Sequence, residues 1–320
     1  MTTTANTVAP TASTREVVGK ALVELGKRHS NLVVLGGDLN KSTYANMFGK
    51  EFPDRFFDFG PAEQNIVNVA AGMASSGKVA VVSTFSVFGT GRPYDQLRVG
   101  VAQPNLNVKL FLTHSGIVTG EDGVSAQSIE DVAIISALPT FKVIVPADGP
   151  EAEQAAAAAV ETPGPFFVRL SRSATPVVHK PEFRFRLGVA EEMRQGKDVA
   201  IIACGIMVDA ALKAAAKLAE GGVHCRVLNM ATVKPLDEQA VLKAAQETGA
   251  IVTAEEHLLD GGLGSMVASL LARKRPTPVE CVGLTGYAES GAPQLLLEKY
   301  HLTPNDIATA VQRAVGRKKG

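Results

Sequence analysis

The 320-residue chain has no tryptophan, only 5% aromatic residues and three cysteines, and its 32 basic residues are matched by 32 acidic ones. Each scarcity removes a class of function. Zero net charge leaves no electrostatic footprint for nucleic acid or an anionic lipid surface, although a local basic cluster can still grip one phosphate. Cys204, Cys225 and Cys281 lie far apart in apolar runs, and their number is odd. That pattern argues for buried thiols in a reducing, cytoplasmic compartment and against a disulfide framework or a zinc site. No stretch reads as a signal peptide or a membrane span. Neither a dinucleotide-binding glycine fingerprint nor a P-loop occurs at a strand-to-helix turn. Gly36-Gly37-Asp38-Leu39-Asn40 has glycines and an acid but lacks the spacing of a dinucleotide or magnesium-diphosphate site. The chain alone therefore reads as half of a site.

What the chain has in plenty is small residues and short apolar runs. Its length, with 46% hydrophobic and 20% charged residues, suits two compact domains that each bury a core. Thirty glycines against so few aromatics describe tight turns and close backbone approaches at strand ends. The spacing of Val17, Val18, Ala21, Leu22 and Leu25 predicts an amphipathic helix over residues 15–29. Apolar runs at 32–35, 79–83, 109–113, 142–145 and 166–170 alternate with helical stretches, the pattern of a mainly parallel sheet covered on both faces. Asp38, Phe85, His114 and Arg172 each follow one of these runs, so a shared crevice beyond the strand ends is expected. Similar runs at 199–204, 224–229, 250–255 and 280–282, with an alanine-rich helix over 208–219, repeat the pattern. The expected plan is a frayed tail over 1–13, a first α/β domain over 14–174, a proline-bearing linker over 175–186 and a second α/β domain over 187–320. Each domain is expected to be a mainly parallel sheet flanked by helices. Nothing in the second marks a catalytic cluster by itself.

One carboxylate stands out. The segment Phe59-Gly60-Pro61-Ala62-Glu63-Gln64-Asn65 leads into residues 66–76, a run small and apolar nearly all round and so expected to be buried in a core or an interface. Glu63 at the mouth of such a helix is costly unless a partner claims it or the helix's free N–H groups relieve it. Two readings stand side by side, a cap beside a proline turn and a chemical role. Phe85 and Phe88, near a strand end, read by themselves as core packing.

The runs STREVVGKAL, GGDLNKST, FPDRFFDFGPAEQNIVNVAAGMA, STFSVFGTGRPYDQLR, THSGIVTGEDGVSAQSIEDVA, IVPADG and VRLSRSATP follow in an order and spacing that resembles the C-terminal half of transketolase, in the form encoded as a separate subunit. The likeness covers essentially the whole chain. It implies a thiamine-diphosphate pyrimidine-binding fold for the first domain and a transketolase C-terminal fold for the second. It also implies a partner, the N-terminal diphosphate-binding subunit, which holds Mg2+ or Ca2+ and joins this chain in an α2β2 heterotetramer; no metal ligand is expected here.

The glutamate of the AEQN motif, here Glu63, is by this resemblance the catalytic carboxylate. Bonded to the aminopyrimidine of thiamine diphosphate, it favours the imino form that takes the proton from the thiazolium C2. Phe85 is the implied stacking face for that ring and Phe88 its neighbour, with Gly91 standing where many relatives have a third aromatic. Arg15, Ser42, His114 and Arg172 match positions that contact the sugar phosphate, and their forked guanidinium groups, hydroxyl and imidazole suit an anion. Asp122, between Gly120 and Gly123, matches an acid that reads sugar hydroxyls. Ala126 stands where many relatives carry a histidine on the donor sugar, which leaves the choice of ketose open. The implied activity is transfer of a two-carbon glycolaldehyde unit from a ketose phosphate to an aldose phosphate, with the chain active only beside its partner. Two alternatives remain. One is the beta subunit of a 2-oxo-acid dehydrogenase, which shares the layout and the activating glutamate but not the phosphate set. The other is a nonenzymatic structural or regulatory subunit.

Overall fold

Runs of branched apolar residues without polar alternation are satisfied only where both faces of a strand are covered. The structure is a computed structural model and describes residues 10–318, among which Leu32–Gly36, Val79–Ser83 and Val108–Leu112 are buried at every position. These form the middle of a seven-stranded sheet in the order Thr232–Lys234, Lys142–Ile144, Phe166–Arg169, Val108–Leu112, Val79–Ser83, Leu32–Gly36, Phe56–Asp58. Every neighbouring pair is parallel except the first. A second sheet of five strands runs Val279–Leu284, Ile251–Leu258, Val199–Ala203, Cys225–Asn229, Glu191–Arg194, parallel but for the last pair. The expected pair of α/β domains is what the chain forms.

Alternate residues of each strand go to opposite faces. Val33, Leu35, Ala80 and Val82 pack with the helix Glu63–Ser75, while Leu32, Val34, Val79 and Val81 pack with Thr14–Arg28 and Gly149–Glu161. Burying each such side chain contributes about 1.5–3 kcal/mol. The helix Glu63–Ser75 buries one stripe, Ile66, Val67, Ala70, Ala71 and Ala74, and leaves Gln64, Asn65, Asn68 and Gly72 exposed. Within the chain the core reading therefore holds for one stripe of this helix. The side facing the sheet is closed, and the small residues opposite it are not covered by any other described part of this chain. No helix among the described residues is long and apolar enough to cross a membrane.

The expected tail falls outside the described residues for positions 1–9. Beyond them, Thr11–Ala12 pairs antiparallel with Thr175–Pro176, and Ser13 caps Thr14–Arg28 by accepting from the Glu16 amide. The polar segment 175–186 is anchored along its length. Asp148 Oδ2 accepts from the amides of Val178 and His179 at 2.8 and 2.9 Å, and the His179 ring lies between Asp148 and Glu191 at 2.9 and 3.0 Å. Thr232–Lys234, from the second half of the chain, supplies the outermost strand of the first sheet. Lys234 Nζ secures it by donating to the carbonyls of Ser136 and Leu138.

Candidate active site

The strand Leu32–Gly36 ends in a turn too crowded for side chains. A Cβ at Gly36 would lie 1.9 Å from Asn40 Oδ1, and one at Gly37 would lie 2.9 Å from Ile66 Cδ1. These glycines serve close packing against the turn that precedes Glu63. Asp58 ties the two turns together: its Oδ1 accepts from the amides of Asp38 and Gly60 at 3.0 and 3.1 Å, and its Oδ2 accepts from Asn40 Nδ2 at 2.6 Å. Gly60 takes a φ of 66°, Pro61 follows, and the chain enters the helix with Glu63 as its first residue.

Glu63 is only 4% exposed. Among the described residues its carboxylate is served by Arg92, whose Nη1 donates to Oε1 at 2.9 Å and to Oε2 at 3.0 Å. A guanidinium therefore gives the relief expected of the helix terminus. The preceding residue, Ala62, offers no capping side chain. Arg92 also lies over the Phe88 ring, 3.9 Å from its centroid, and its carbonyl accepts from Gln64 Nε2 at 3.1 Å.

Phe85 lies two residues beyond the end of the strand Val79–Ser83. It makes a parallel bridge with Thr113, and the Ser86 amide donates to Thr113 O at 2.7 Å, so two strand ends are held side by side. The Phe85 ring consequently stacks on His114, with centroids 3.6 Å apart and planes 17° apart. The Phe85 ring also lies nearly parallel to that of Phe88, with centroids 5.8 Å apart and planes 14° apart. Phe85 is buried and Phe88 half-buried.

The charged residues gather beyond His114. Its backbone sits in the left-handed region at φ 59°, held by Thr119 Oγ1 donating to His114 O at 2.8 Å, and its Nδ1 meets Thr113 Oγ1 at 2.8 Å. Burial, with Arg15 and Arg172 close by, pushes the imidazole down to about 3, so it is neutral at ordinary pH. Its Nε2 lies 3.8 Å from Asp122 Oδ2. Arg172 approaches Asp122 through Nε at 3.4 Å and Glu121 through Nη1 at 3.1 Å. Arg15 donates from Nε to the Arg172 carbonyl at 3.1 Å and from Nη1 to the Ser42 carbonyl at 2.5 Å. Ser42 thus joins this cluster through its backbone, where the sequence suggested its hydroxyl. The structure brings together Arg15, Ser42, His114, Asp122 and Arg172 at one end of the stack and Glu63 at the other.

The loop that carries Glu121 and Asp122 is bracketed by the second domain. Glu256 Oε1 accepts from the Val118 amide at 2.7 Å, Ser290 Oγ donates to Glu121 O at 2.7 Å, and Gln127 Nε2 donates to Glu289 O at 2.9 Å. A Cβ on Gly116, whose φ is 81°, would fall 2.1 Å from the Glu256 carboxyl carbon. Ala126 is buried in this loop, while Gly91 has open space where a Cβ would stand. Arg92 and Glu121 escaped the reading of the sequence, although Arg92 lies in the same STFSVFGTGRPYDQLR run as the two phenylalanines. Among the described residues no group of three or more His, Cys, Asp or Glu side chains is placed to hold a metal ion.

Two families divide the chain. The transketolase pyrimidine-binding domain matches residues 10–178, and the transketolase C-terminal domain matches residues 188–307. A chain of Methanocaldococcus jannaschii named as a transketolase C-terminal section is 39% identical over 308 residues, which is 95% of this chain and 96% of its own length. Transketolase-like protein 2 of Mus musculus is 37% identical over 95% of this chain but 49% of its own length, so this chain spans about half of that relative. A solved structure described as a split-gene transketolase in an inactive β4 tetramer is 46% identical, with a TM-score of 0.89, over 96% of this chain and 99% of that one. That assembly overturns the expectation of an α2β2 heterotetramer built with a diphosphate-binding partner. The buried cores close within this chain and two of them run through both domains, Leu35 and Phe167 sharing one with Ile202 and Val267, and Ile117 and Ile129 sharing another with Ile201 and Val252, so the two domains form one folded body that can associate with its own copies. By these family matches and by identity along nearly its whole length, the chain belongs to the transketolase family, as the C-terminal section of a split transketolase.

Proposed function

We propose that this chain supplies the activating carboxylate and the sugar-phosphate contacts of a thiamine-diphosphate-dependent transketolase, which moves a two-carbon glycolaldehyde unit from a ketose phosphate to an aldose phosphate. One observation carries the reading. The rings of Phe88, Phe85 and His114 form a continuous stack with the buried Glu63 at one end and Arg15, Asp122 and Arg172 at the other. A planar ring with hydrogen-bonding edges fits the first end, where Glu63 would hold a ring nitrogen of the aminopyrimidine and Phe85 and Phe88 would cover its face. When bound, thiamine diphosphate supplies a nucleophilic carbon and an electron sink for breaking the bond beside a ketose carbonyl.

The residues of this chain bind, orient and hold protons. Glu63, fixed at a helix start, holds a proton at the edge of the ring. His114, neutral and buried, offers a sugar oxygen one hydrogen bond without adding charge. Arg15 and Arg172 present forked donors suited to a phosphate, and Asp122 faces the same space with an acceptor for a hydroxyl. The apolar stack keeps water from the face it covers. By likeness to the split-gene relative, whose β4 tetramer is described as inactive, copies of this chain associate with one another.

Assays with the N-terminal half of a transketolase and thiamine diphosphate added as reagents test the reading. The expected outcome is exchange of two-carbon units between sugar phosphates. Decarboxylation of 2-oxo acids in its place would move the chain to the 2-oxo-acid dehydrogenases. No turnover and no bound thiamine diphosphate would leave a structural role.

A further inference from the structure

Arg92 occupies, with one side chain, both surfaces that a pyrimidine ring would use. A single nitrogen almost equidistant from the two Glu63 oxygens, at 2.9 and 3.0 Å, stands in front of the carboxylate and takes the inward-facing lone pair of each. The rest of the guanidinium lies on Phe88, 3.9 Å from the ring centroid. A ring bonded to Glu63 and stacked beside Phe88 needs the same carboxylate and the same face, so ring and guanidinium exclude each other.

The geometry also says which group yields. The main chain of Arg92 is fixed independently of its side chain, its carbonyl accepting from Gln64 Nε2 at 3.1 Å and its amide donating to Phe88 O at 3.2 Å. Within the pair Glu63 is 4% exposed and Arg92 is 48% exposed. Rotation about its own bonds returns the guanidinium to water while the carboxylate stays where the helix holds it. Gly91, with nothing within 4 Å of its Cβ position, leaves room beside it. Until that rotation the pairing spares a buried carboxylate the cost of standing alone.

We propose that Arg92 is a displaceable occupant of the pyrimidine site, holding Glu63 and covering Phe88 until a ring takes its place, and so lowering the affinity of the site for that ring; this rests on the reading of Glu63 and Phe88 as pyrimidine contacts. Removing the side chain frees both surfaces and leaves Glu63 in need of a donor. Both effects favour the ring.

The test is a titration of thiamine into the full chain, followed by saturation-transfer NMR, which reads weak affinities. Arg92→Ala is expected to bind thiamine about tenfold more tightly than the unsubstituted chain, about 1.4 kcal/mol. Arg92→Lys, which keeps the charge but cannot lie flat on a ring, falls between them. The gain disappears when Glu63→Gln is added. Equal or weaker binding by Arg92→Ala at an unchanged melting temperature overturns the proposal, because Arg92 then assists the ring or ignores it. If Arg92→Ala melts early, Arg92→Gln carries the same comparison. Failure of every chain to bind thiamine, the unsubstituted one included, removes the pyrimidine reading and the proposal with it.

Discussion

Arg169 and Arg92 each face a buried carboxylate at hydrogen-bonding distance, one in the interior and one at the mouth of the crevice. Arg169 Nε lies 3.0 and 2.9 Å from the two oxygens of Asp131, with both side chains closed to solvent. Every group there has further work: Ser86 Oγ donates to Asp131 at 2.7 Å, and Arg169 Nη2 donates to the carbonyls of Ser128 and Glu256. The interior pair thereby pins the strand Phe166–Arg169, the helix Asp131–Ser136 and the second-domain strand Ile251–Leu258 to one another. At the mouth, the Arg92 side chain hydrogen-bonds Glu63 alone among the described residues, and its head is half in water. Burying both partners and tying each to further groups makes a fixed joint. Leaving one partner wet makes an exchangeable contact.

The largest expected effect breaks the interior side of this contrast. Arg169→Ala strands Asp131 as an unpaired buried charge and is expected to cost about 3–5 kcal/mol in chemical denaturation; a loss below about 1 kcal/mol would erase the distinction between the pairs. Next comes the mouth. Glu63→Gln, assayed with the N-terminal half of a transketolase and thiamine diphosphate added as reagents, is expected to leave folding almost untouched and to lower turnover at least about 100-fold, about 2.7 kcal/mol. Near-normal turnover would sink the assignment. Arg172→Ala is expected to raise KM for a phosphorylated sugar about tenfold while leaving KM for an unphosphorylated one near its starting value. Equal changes for both sugars would argue against phosphate contact.

Acidity sharpens the contrast further, since the interior collects carboxyl groups. Burial raises Glu255, Glu256 and Glu151 to about 7 from an ordinary 4.5. A folded-state value above the unfolded one means that their contribution to stability is complete below about 4.5 and is lost as pH rises through about 7. His114, pushed down to about 3 from 6.5, works the other way: its contribution is present above 6.5 and is lost as pH falls toward 3. Three carboxyls outweigh one imidazole, so denaturation midpoints are expected to fall between about pH 5 and pH 7, while Lys109, pushed by burial down to about 7 from 10.5, opposes any further fall above that. Glu256→Gln, which keeps an acceptor for the Val118 amide, is expected to flatten that fall; an unchanged slope would mean that Glu256 is already ionised in the folded chain. A smaller effect than that of Arg169→Ala is expected from Arg92→Ala on folding, about 1–2 kcal/mol, because Glu63 loses its donor but lies at the mouth, where water can replace the half-exposed guanidinium. A loss as large as that of Arg169→Ala would make the mouth pair a fixed joint too.

Much of this was legible in the sequence because short-range patterns carry it. Buried parallel strands read as unbroken apolar runs, and the run at Val79–Ser83 coincides with its strand. The charged cluster was legible only through the family resemblance, which named Arg15, His114, Asp122 and Arg172; the structure places these four side by side. What escaped depends on contacts between distant residues. The partner of Glu63 lies 29 positions away, and no periodicity links a carboxylate at a helix start to an arginine beyond the next strand. Thr232–Lys234 is too short to announce itself as a strand, and its pairing is set by the second domain's position. Ser42 was picked for its hydroxyl, but a left-handed Tyr44 two residues on belongs to a turn that gives Arg15 the Ser42 carbonyl.

The strand Thr232–Lys234 also bears on how such a protein can be divided. A break in the segment between the two domains would strip the first sheet of its outer strand and bare a row of backbone donors and acceptors on Lys142–Ile144, the kind of edge on which sheets adhere. It would also take away Lys234 and its two carbonyl contacts. The pair of domains is therefore one structural unit, and the first sheet is complete only while the second domain is attached.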